Sequence, residues 1–214
     1  MRILFTLLAL MYVNSLKAQD WNSPDYIYDE QYEGYVITKE GEKIRGFVKY
    51  RNRFIMQEEV IFFADKDDNK TKKRYFTQDL QGFGVADKIY ECLAYSGGAS
   101  VTDIRALLVV RGSGCIKEYV WYDRAAGYTT MTLMEGESEE QLGNRKFPPT
   151  TVYYKVGDDI PVTAKYFEDD FTKKMGMYIK DNKELAKKVK AGTVGYNKGM
   201  YLEAIFKEYN ESCQ

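Results

Sequence analysis

Carboxylates and aromatic residues meet at one place in this chain in a pattern that could do chemistry. Glu118 and Asp123 flank Tyr119, Trp121 and Tyr122, and a carboxylate pair beside aromatic rings is the pattern that glycan-hydrolysing enzymes use. The two acidic residues are five positions apart, so on one β-strand they point to opposite faces of the sheet. They therefore cannot flank one bond together, and a glycan-acting enzyme would need a different pair.

The chain has no histidine, which excludes the commonest routes to catalysis. Ser-His-Asp and Cys-His nucleophile pairs need an imidazole, as do His-based zinc sites. The charged run at residues 65–71 also fails as a calcium loop, because its sixth and twelfth positions hold Lys70 and Phe76 instead of the Gly and Glu of an EF-hand. We predict no catalytic residue, no metal site and no cofactor.

Three cysteines, Cys92, Cys115 and Cys213, allow at most one intramolecular disulfide. Cys92 and Cys115 fall in strand-like segments that can lie close together in one sheet, whereas Cys213 stands near the end of the sequence, where anchoring is poor. We predict that any bridge joins Cys92 to Cys115 and that Cys213 is a free thiol. Three unpaired thiols are the alternative, because spacing alone does not decide connectivity.

The N-terminal residues have the composition of a secretory signal peptide. Arg2 gives a short positive region, residues 3–13 are mostly apolar, and a polar stretch leads to Ala18. The apolar run of about 11 residues is too short for the roughly 20 that span a bilayer. We predict cleavage between Ala18 and Gln19, export to the periplasm, the outer-membrane surface or the extracellular medium, and a mature chain with no transmembrane segment.

The charge balance bears on the class of partner. The full sequence has 31 Lys and Arg against 32 Asp and Glu, and removal of residues 1–18 takes away two basic residues and no acidic one. Nucleic-acid binding needs a basic surface for the phosphates. We therefore predict no nucleic-acid partner.

Residues 34–165 have the periodicity of antiparallel strands. Residues 44–51 alternate between two faces, and residues 34–39 precede them across a turn, which predicts a β-hairpin. The apolar run between Arg105 and Arg111 predicts a central strand buried on both faces. Further strands are predicted over residues 59–64, 72–77, 83–93, 115–124, 129–135, 151–156 and 160–163, the first two as a second hairpin.

After Tyr166 the period becomes helical, with apolar residues recurring every three or four positions. Asp181 followed by Glu184 has the spacing of a capping box, which predicts that a second short helix begins there. A third apolar stripe runs from Leu202 to Tyr209. Each stripe is expected to pack on the sheet.

Together these elements predict an α+β fold. Its main part is an antiparallel sheet of about eight to ten strands, as a sandwich or an open barrel, with a C-terminal helical cap of two to three short helices. Residues 1–18 are the predicted signal peptide and residues 19–33 an extended arm. Residues 34–165 form the β domain and residues 166–214 the helical segment packed on the sheet.

Short turn-like motifs recur along most of the mature chain: GYVIT at 34–38, RGFVK at 45–49, DLQGF at 79–83, DNKEL at 181–185 and KEYN at 207–210. This set resembles a group of uncharacterised exported proteins of Bacteroidota-type Gram-negative bacteria, which has no assigned activity. The resemblance implies a bacterial source and a compartment beyond the inner membrane. Members of that group place a Cys-Pro pair where this chain has Asn182-Lys183, which implies that Cys213 has lost its partner.

Three functions are compatible with these observations. The favoured one is an exported, non-catalytic envelope or secreted protein that binds an envelope protein or a glycan, with contacts expected first around Tyr119 and Trp121. A lipocalin-like β-barrel that carries a small apolar ligand is the alternative, and a glycan-acting enzyme with a carboxylate pair is the second alternative. A closed barrel with an apolar lumen, an acidic cleft, or neither would separate the three.

Overall fold

A computed structural model of the protein describes residues 26–51, 53–96, 103–122, 149–158 and 160–213. The strands are β1 (Gln31–Thr38), β2 (Lys43–Lys49), β3 (Glu59–Phe63), β4 (Lys73–Phe76), β5 (Leu80–Val85), β6 (Lys88–Tyr95), β7 (Asp103–Arg111), β8 (Ile116–Trp121), β9 (Thr150–Lys155) and β10 (Val162–Thr163). The helices are α1 (Arg53–Met56), α2 (Phe171–Tyr178), α3 (Lys183–Lys190) and α4 (Leu202–Ser212).

The ten described strands form one open antiparallel sheet, in the order β10-β9-β8-β7-β6-β5-β1-β2-β3-β4. The predicted α+β class, with an antiparallel sheet and a C-terminal helical region, is confirmed. β10 and β4 lie at the two ends of the order, so the described strands do not close into a barrel. In this part of the chain no helix has the length and apolar character needed to cross a membrane.

Both predicted hairpins are confirmed. β1 pairs with β2 across a turn in which Gly41 has a φ of 86°, and β3 pairs with β4 across residues 64–72. β1 begins at Gln31, three residues inside the segment predicted as an extended arm. The predicted strand at 129–135, the predicted signal peptide and the bond between Ala18 and Gln19 lie outside the described residues.

The strand region predicted over residues 83–93 is present, but it contains parts of two strands. β5 and β6 pair across the two-residue turn Ala86–Asp87, in which Ala86 has a φ of 51°. The Ala86 N–H donates to the Glu33 carbonyl at 2.9 Å, which holds this left-handed residue against β1. Asp87 is a turn-forming residue type, but Ala86 gives no sign in the sequence of its left-handed conformation.

The N-terminal core is a cluster of buried side chains on one face of β1 to β7. Directly paired residues from neighbouring strands supply it, as Val36, Phe83, Tyr90 and Leu108 do across four strands, and the Phe83 and Tyr90 rings stack at 4.5 Å. Leu107 on the opposite face is also buried. The prediction that the apolar run between Arg105 and Arg111 is buried on both faces is therefore confirmed for residues 106–109.

Gln57, just after α1, ties the far end of the sheet back to its middle. Its carbonyl accepts the Ala106 N–H at 3.0 Å. Its side-chain amide donates to the Tyr122 carbonyl at 2.8 Å and accepts the Tyr122 N–H at 2.7 Å. Because β3 is five strands away from β7 in the sheet order, these bonds require the sheet to curl.

The helical region, residues 164–213, packs on β8 and β9. Its apolar stripes form a second core around Phe167, Met175, Ile179 and Ile205, which encloses Ile116 at the start of β8. The three predicted helices are present, but Asp181 is not the cap of α3. Asn182 accepts the Leu185 N–H at 3.0 Å instead.

Asp181 has a different task. It accepts hydrogen bonds from the Lys155 ammonium at 2.6 Å and from the Tyr209 hydroxyl. Asp181 and Asn182 are both of a type that caps helices. Asn182 caps α3, and Asp181 binds Lys155 of β9 instead. Asp181 therefore links α4 to the sheet.

Candidate functional site

An open cleft of about 770 Å³ lies between the turn that joins β7 to β8 and the outer side of α4. One wall carries Arg111, Ser113 and Glu118, and the other carries Glu203 and Lys207. Alternation along the strand explains the first wall, because Ile116 and Glu118 share the face of β8 on which the helices pack. Helical spacing explains the second, since positions 203 and 207 are one turn apart.

A charge cluster occupies the cleft. The Arg111 guanidinium contacts Glu118, with Nε and Oε2 3.5 Å apart, and forms a closer ion pair with Glu203. Burial raises the pKa of Glu118, Arg111 opposes that rise, and the charge of Glu203 adds to it. The hydrogen bond to Glu203 raises the pKa of Arg111, which stays charged. One cation thus stands between two carboxylates.

Tyr153 on β9 adds a phenol and an aromatic face to the cleft. Its ring lies edge-on to Phe206, with the ring centres 4.8 Å apart. Burial raises the pKa of Tyr153 to about 12, and the charges of Glu118 and Glu203 add to the rise. The hydroxyl is therefore protonated at neutral pH and able to donate a hydrogen bond.

Asn210 fixes α4 against β8. Its side-chain oxygen accepts the Ile116 N–H at 2.7 Å, and its amide donates to the Ile116 carbonyl at 2.8 Å. The side chain thereby takes the place of a neighbouring strand. Gly114, with a φ of 97°, lies so close that a Cβ there would be 2.5 Å from Asn210 Cγ, so this turn position requires glycine.

A disulfide between Cys115 and Cys213 joins the residue before β8 to the residue after α4, with Cα atoms 6.3 Å apart. The predicted Cys92–Cys115 bridge and the free Cys213 are both wrong. Cys92 pairs with Ala106 on β7, whereas Cys115 precedes β8 beyond Arg111. Arg111 is already five residues, roughly 16 Å, along β7 from Ala106, and Cys115 lies further in the same direction, so the two cysteines are far beyond disulfide reach.

Cys92 is the free cysteine. Burial raises the pKa of its thiol to about 12, an effect that the charge of Lys39 only partly offsets. Since the thiolate is the reactive form, Cys92 behaves as a small apolar core residue. Cys213, which the resemblance implied to be without a partner, is bonded to Cys115.

Tyr119 and Trp121, the residues predicted to contact a partner, lie on the face of β8 that points away from the cleft. Tyr119 is fully buried, and its hydroxyl donates to Glu91 at 2.6 Å. Trp121 is 8% exposed and packs edge-on against Tyr95 with the ring centres 5.5 Å apart. Both rings belong to the core, so neither offers a surface to a partner. Asp123 lies outside the described residues.

The cleft contains one carboxylate named from the sequence, Glu118, and three residues that sequence reasoning missed, Arg111, Tyr153 and Glu203. Arg111 and Glu203 are 92 positions apart in the chain. No motif or spacing marks them as neighbours, because only the docking of α4 on β8 brings them together.

The described residues contain no group of three or more Cys, Asp or Glu side chains placed to hold a metal ion. Comparison of the chain with protein-family models, with curated proteins and with solved structures gives no match. The chemistry of the cleft is therefore the basis for assigning a function.

Proposed function

We propose that this protein is exported and, without catalysing a reaction, binds a ligand of the cell envelope or its surroundings in the cleft between β8 and α4. The composition of residues 1–18 supports export. The Cys115–Cys213 bridge supports it independently, because disulfides persist in oxidising compartments and are rare in the cytosol.

The observation that carries the binding role is a cleft whose two walls are fixed before any ligand arrives. Asn210 and the disulfide join α4 to the start of β8. The ion pair between Arg111 and Glu203 joins the walls again. A ligand that enters a preformed site does not have to order its walls, so less of the binding free energy is lost.

The size and lining of the cleft favour a glycan over a broad protein partner. Its volume of about 770 Å³ lies within the usual range of small-ligand sites, roughly 300 to 1,000 Å³. Arg111, Glu118 and the Tyr153 hydroxyl offer donors and acceptors for sugar hydroxyls, and Ile116 and Phe206 form an apolar floor. Sugars present both kinds of surface.

A cleft-filling variant tests this role. Ala204 is exposed on α4 and lines the cleft, so Ala204→Trp should block it. We expect saturable retention of envelope glycan fragments on the immobilised protein to fall at least about tenfold. The matched control Ala64→Trp, at an exposed site after β3, should bind like the wild type. Equal retention by the Ala204→Trp variant would contradict binding in this cleft.

A second candidate, a glycan-acting enzyme, is favoured by one observation. Glu118 and Glu203 form a carboxylate pair in one cleft, and the pKa of Glu118 is raised, as a general acid requires. Arg111 stands between them, however, where a scissile bond would have to lie. Turnover of a glycan that Glu118→Gln lowers by about two or more powers of ten would establish the enzyme, and retention without turnover would support the binding protein.

A further inference from the structure

A second surface, which is rich in lysine, lies on α3. Lys183, Lys187 and Lys190 follow each other at intervals of four and three, so they share one side of the helix. All three are exposed, and no ion pair joins any of them to another residue that the structure describes. Lys188 lies on a different side of α3, where it pairs with Glu208 at 2.7 Å.

Lys190 extends this surface to α2. A Cβ on Gly176 would lie 2.8 Å from Lys190 Cγ and 3.0 Å from its Cε. The aliphatic stem of Lys190 therefore lies along the bare backbone of α2. Lys173 is exposed on α2, one turn before Gly176. We name Lys173, Lys183, Lys187 and Lys190 the lysine face.

The local charge balance of α3 is strongly positive. The helix has four lysines and a single acidic residue, Glu184. The negative charge of the neighbouring Asp181 is balanced by Lys155, which donates a hydrogen bond to it, as does the Tyr209 hydroxyl. This contrasts with the whole chain, in which acidic residues slightly outnumber basic ones.

Two exposed apolar side chains lie close to the lysine face along the sequence. Met177, next to Gly176 on α2, is 60% exposed, and Val194, four residues after the end of α3, is 84% exposed. The opposite side of α3 is anchored in the core through Leu185 and Val189. The apolar side of α3 is therefore used in the protein core, and what remains outside is a cluster of lysines that can be attracted to an anionic membrane surface.

We propose that the lysine face binds an anionic lipid surface and that Met177 and Val194 enter the headgroup layer. The lysines supply the attraction, each worth about a fivefold gain in affinity near an anionic membrane. The two apolar side chains distinguish lipid from a soluble polyanion, which would leave both in water. Attachment here is independent of the cleft, so failure of one proposal does not affect the other.

Vesicle co-sedimentation of the protein from Gln19 to Gln214 tests the proposal. We expect binding to vesicles that contain phosphatidylglycerol, no binding to pure phosphatidylcholine vesicles, and release by high salt. The triple variant Lys183→Gln, Lys187→Gln, Lys190→Gln should lose about a hundredfold in affinity. The control Lys66→Gln, Lys70→Gln, Lys72→Gln removes the same charge from exposed positions around the β3–β4 turn and should bind like the wild type.

A second variant separates lipid from other anions. Met177→Gln with Val194→Gln keeps every lysine and should weaken vesicle binding severalfold, with no effect on binding to soluble polyglutamate. Equal loss in both triple variants would overturn the proposal, because net charge alone would then explain binding. Binding to polyglutamate as tight as to vesicles, unchanged by the apolar substitutions, would also overturn it in favour of an acidic protein partner.

Discussion

The N-terminal core and the helical region are built by different means. In the N-terminal core, side chains from successive strands pack directly opposite each other, and hydrogen bonds of Gln57 with Ala106 and Tyr122 add to that packing. The helical region also has an apolar core, but separate polar and covalent links set its place on the sheet. The difference shows how a fold can be stabilised by packing in one half and positioned by specific bonds in the other.

The bonds that attach the helical region to the sheet leave the cleft open between α4 and β8. Asn210, Asp181 and the Cys115–Cys213 bridge hold α4 to β8 and β9 near its C-terminal end. Its first turn, with Glu203, reaches across to Arg111 on β7. The cleft lies between these attachments, so links that position α4 also shape the candidate binding site.

The largest expected effect is in the N-terminal core. Phe83 is fully buried and stacks on Tyr90, so Phe83→Ala should lower the free energy of unfolding by about 3 to 5 kcal/mol. Phe76→Ala removes the same atoms from a side chain that is 44% exposed and should cost less than about 1 kcal/mol. Urea denaturation of both variants measures the difference, and equal losses would show that this core is not held by burial.

The next effect should separate the two regions. Cys213→Ser opens a loop of 98 residues and should cost about 2 to 5 kcal/mol. Hydrogen exchange should then rise across α4, while β1 to β7 stay protected. Cys92→Ser, at a cysteine without a bridge, should not have this local effect. Unchanged exchange in α4 would mean that the bridge does not position the helix.

A smaller effect is expected at Asn210. Asn210→Ala removes both hydrogen bonds to Ile116 and should cost about 1 to 3 kcal/mol, because two partly buried backbone groups lose their partners. Asn69→Ala, at an exposed site on the β3–β4 turn, is the control and should be nearly neutral. Thermal unfolding and the exchange rate of the Ile116 amide would measure this contribution. No change in either would contradict the role of Asn210.

The smallest effect is a pH dependence at Asp181. Burial alone would raise its pKa, but hydrogen bonds from Lys155 and Tyr209 outweigh burial and lower it. A lowered pKa in the folded state means that Asp181 stabilises the fold above its unfolded pKa of about 3.9 and that this contribution is lost as the pH falls through the folded value. The stability gap between wild type and Asp181→Asn should therefore narrow as the pH falls below the unfolded pKa of Asp181. A gap that does not change with pH would contradict this link.

Periodicity and turn chemistry explain how much of the sheet could be predicted. The β1–β2 hairpin has a glycine at the left-handed position of its turn, which is a local signal. The β5–β6 turn uses Ala86 in a left-handed conformation, and a contact with β1 holds it there. The residues around Ala86 do not predict its left-handed conformation, because a hydrogen bond to β1 stabilises it.

The site was harder to predict because its parts come from distant segments. Glu118 was found through its neighbours in sequence, but those neighbours, Tyr119 and Trp121, point into the opposite face of the sheet. Cys115 meets Cys213 only because α4 docks beside Ile116. The register of a helix on a sheet depends on packing across both, which spacing along one segment does not encode.

Intact mass and a non-reducing peptide map of the protein purified from its native host test export and the covalent anchoring of α4 together. We predict a chain that begins at or near Gln19 and contains one disulfide, with a peptide carrying Cys115 linked to a peptide carrying Cys213 and Cys92 as a free thiol. A full-length chain with three alkylatable thiols would contradict both. A Cys92–Cys115 linkage would contradict the anchoring of α4 on which the candidate cleft depends.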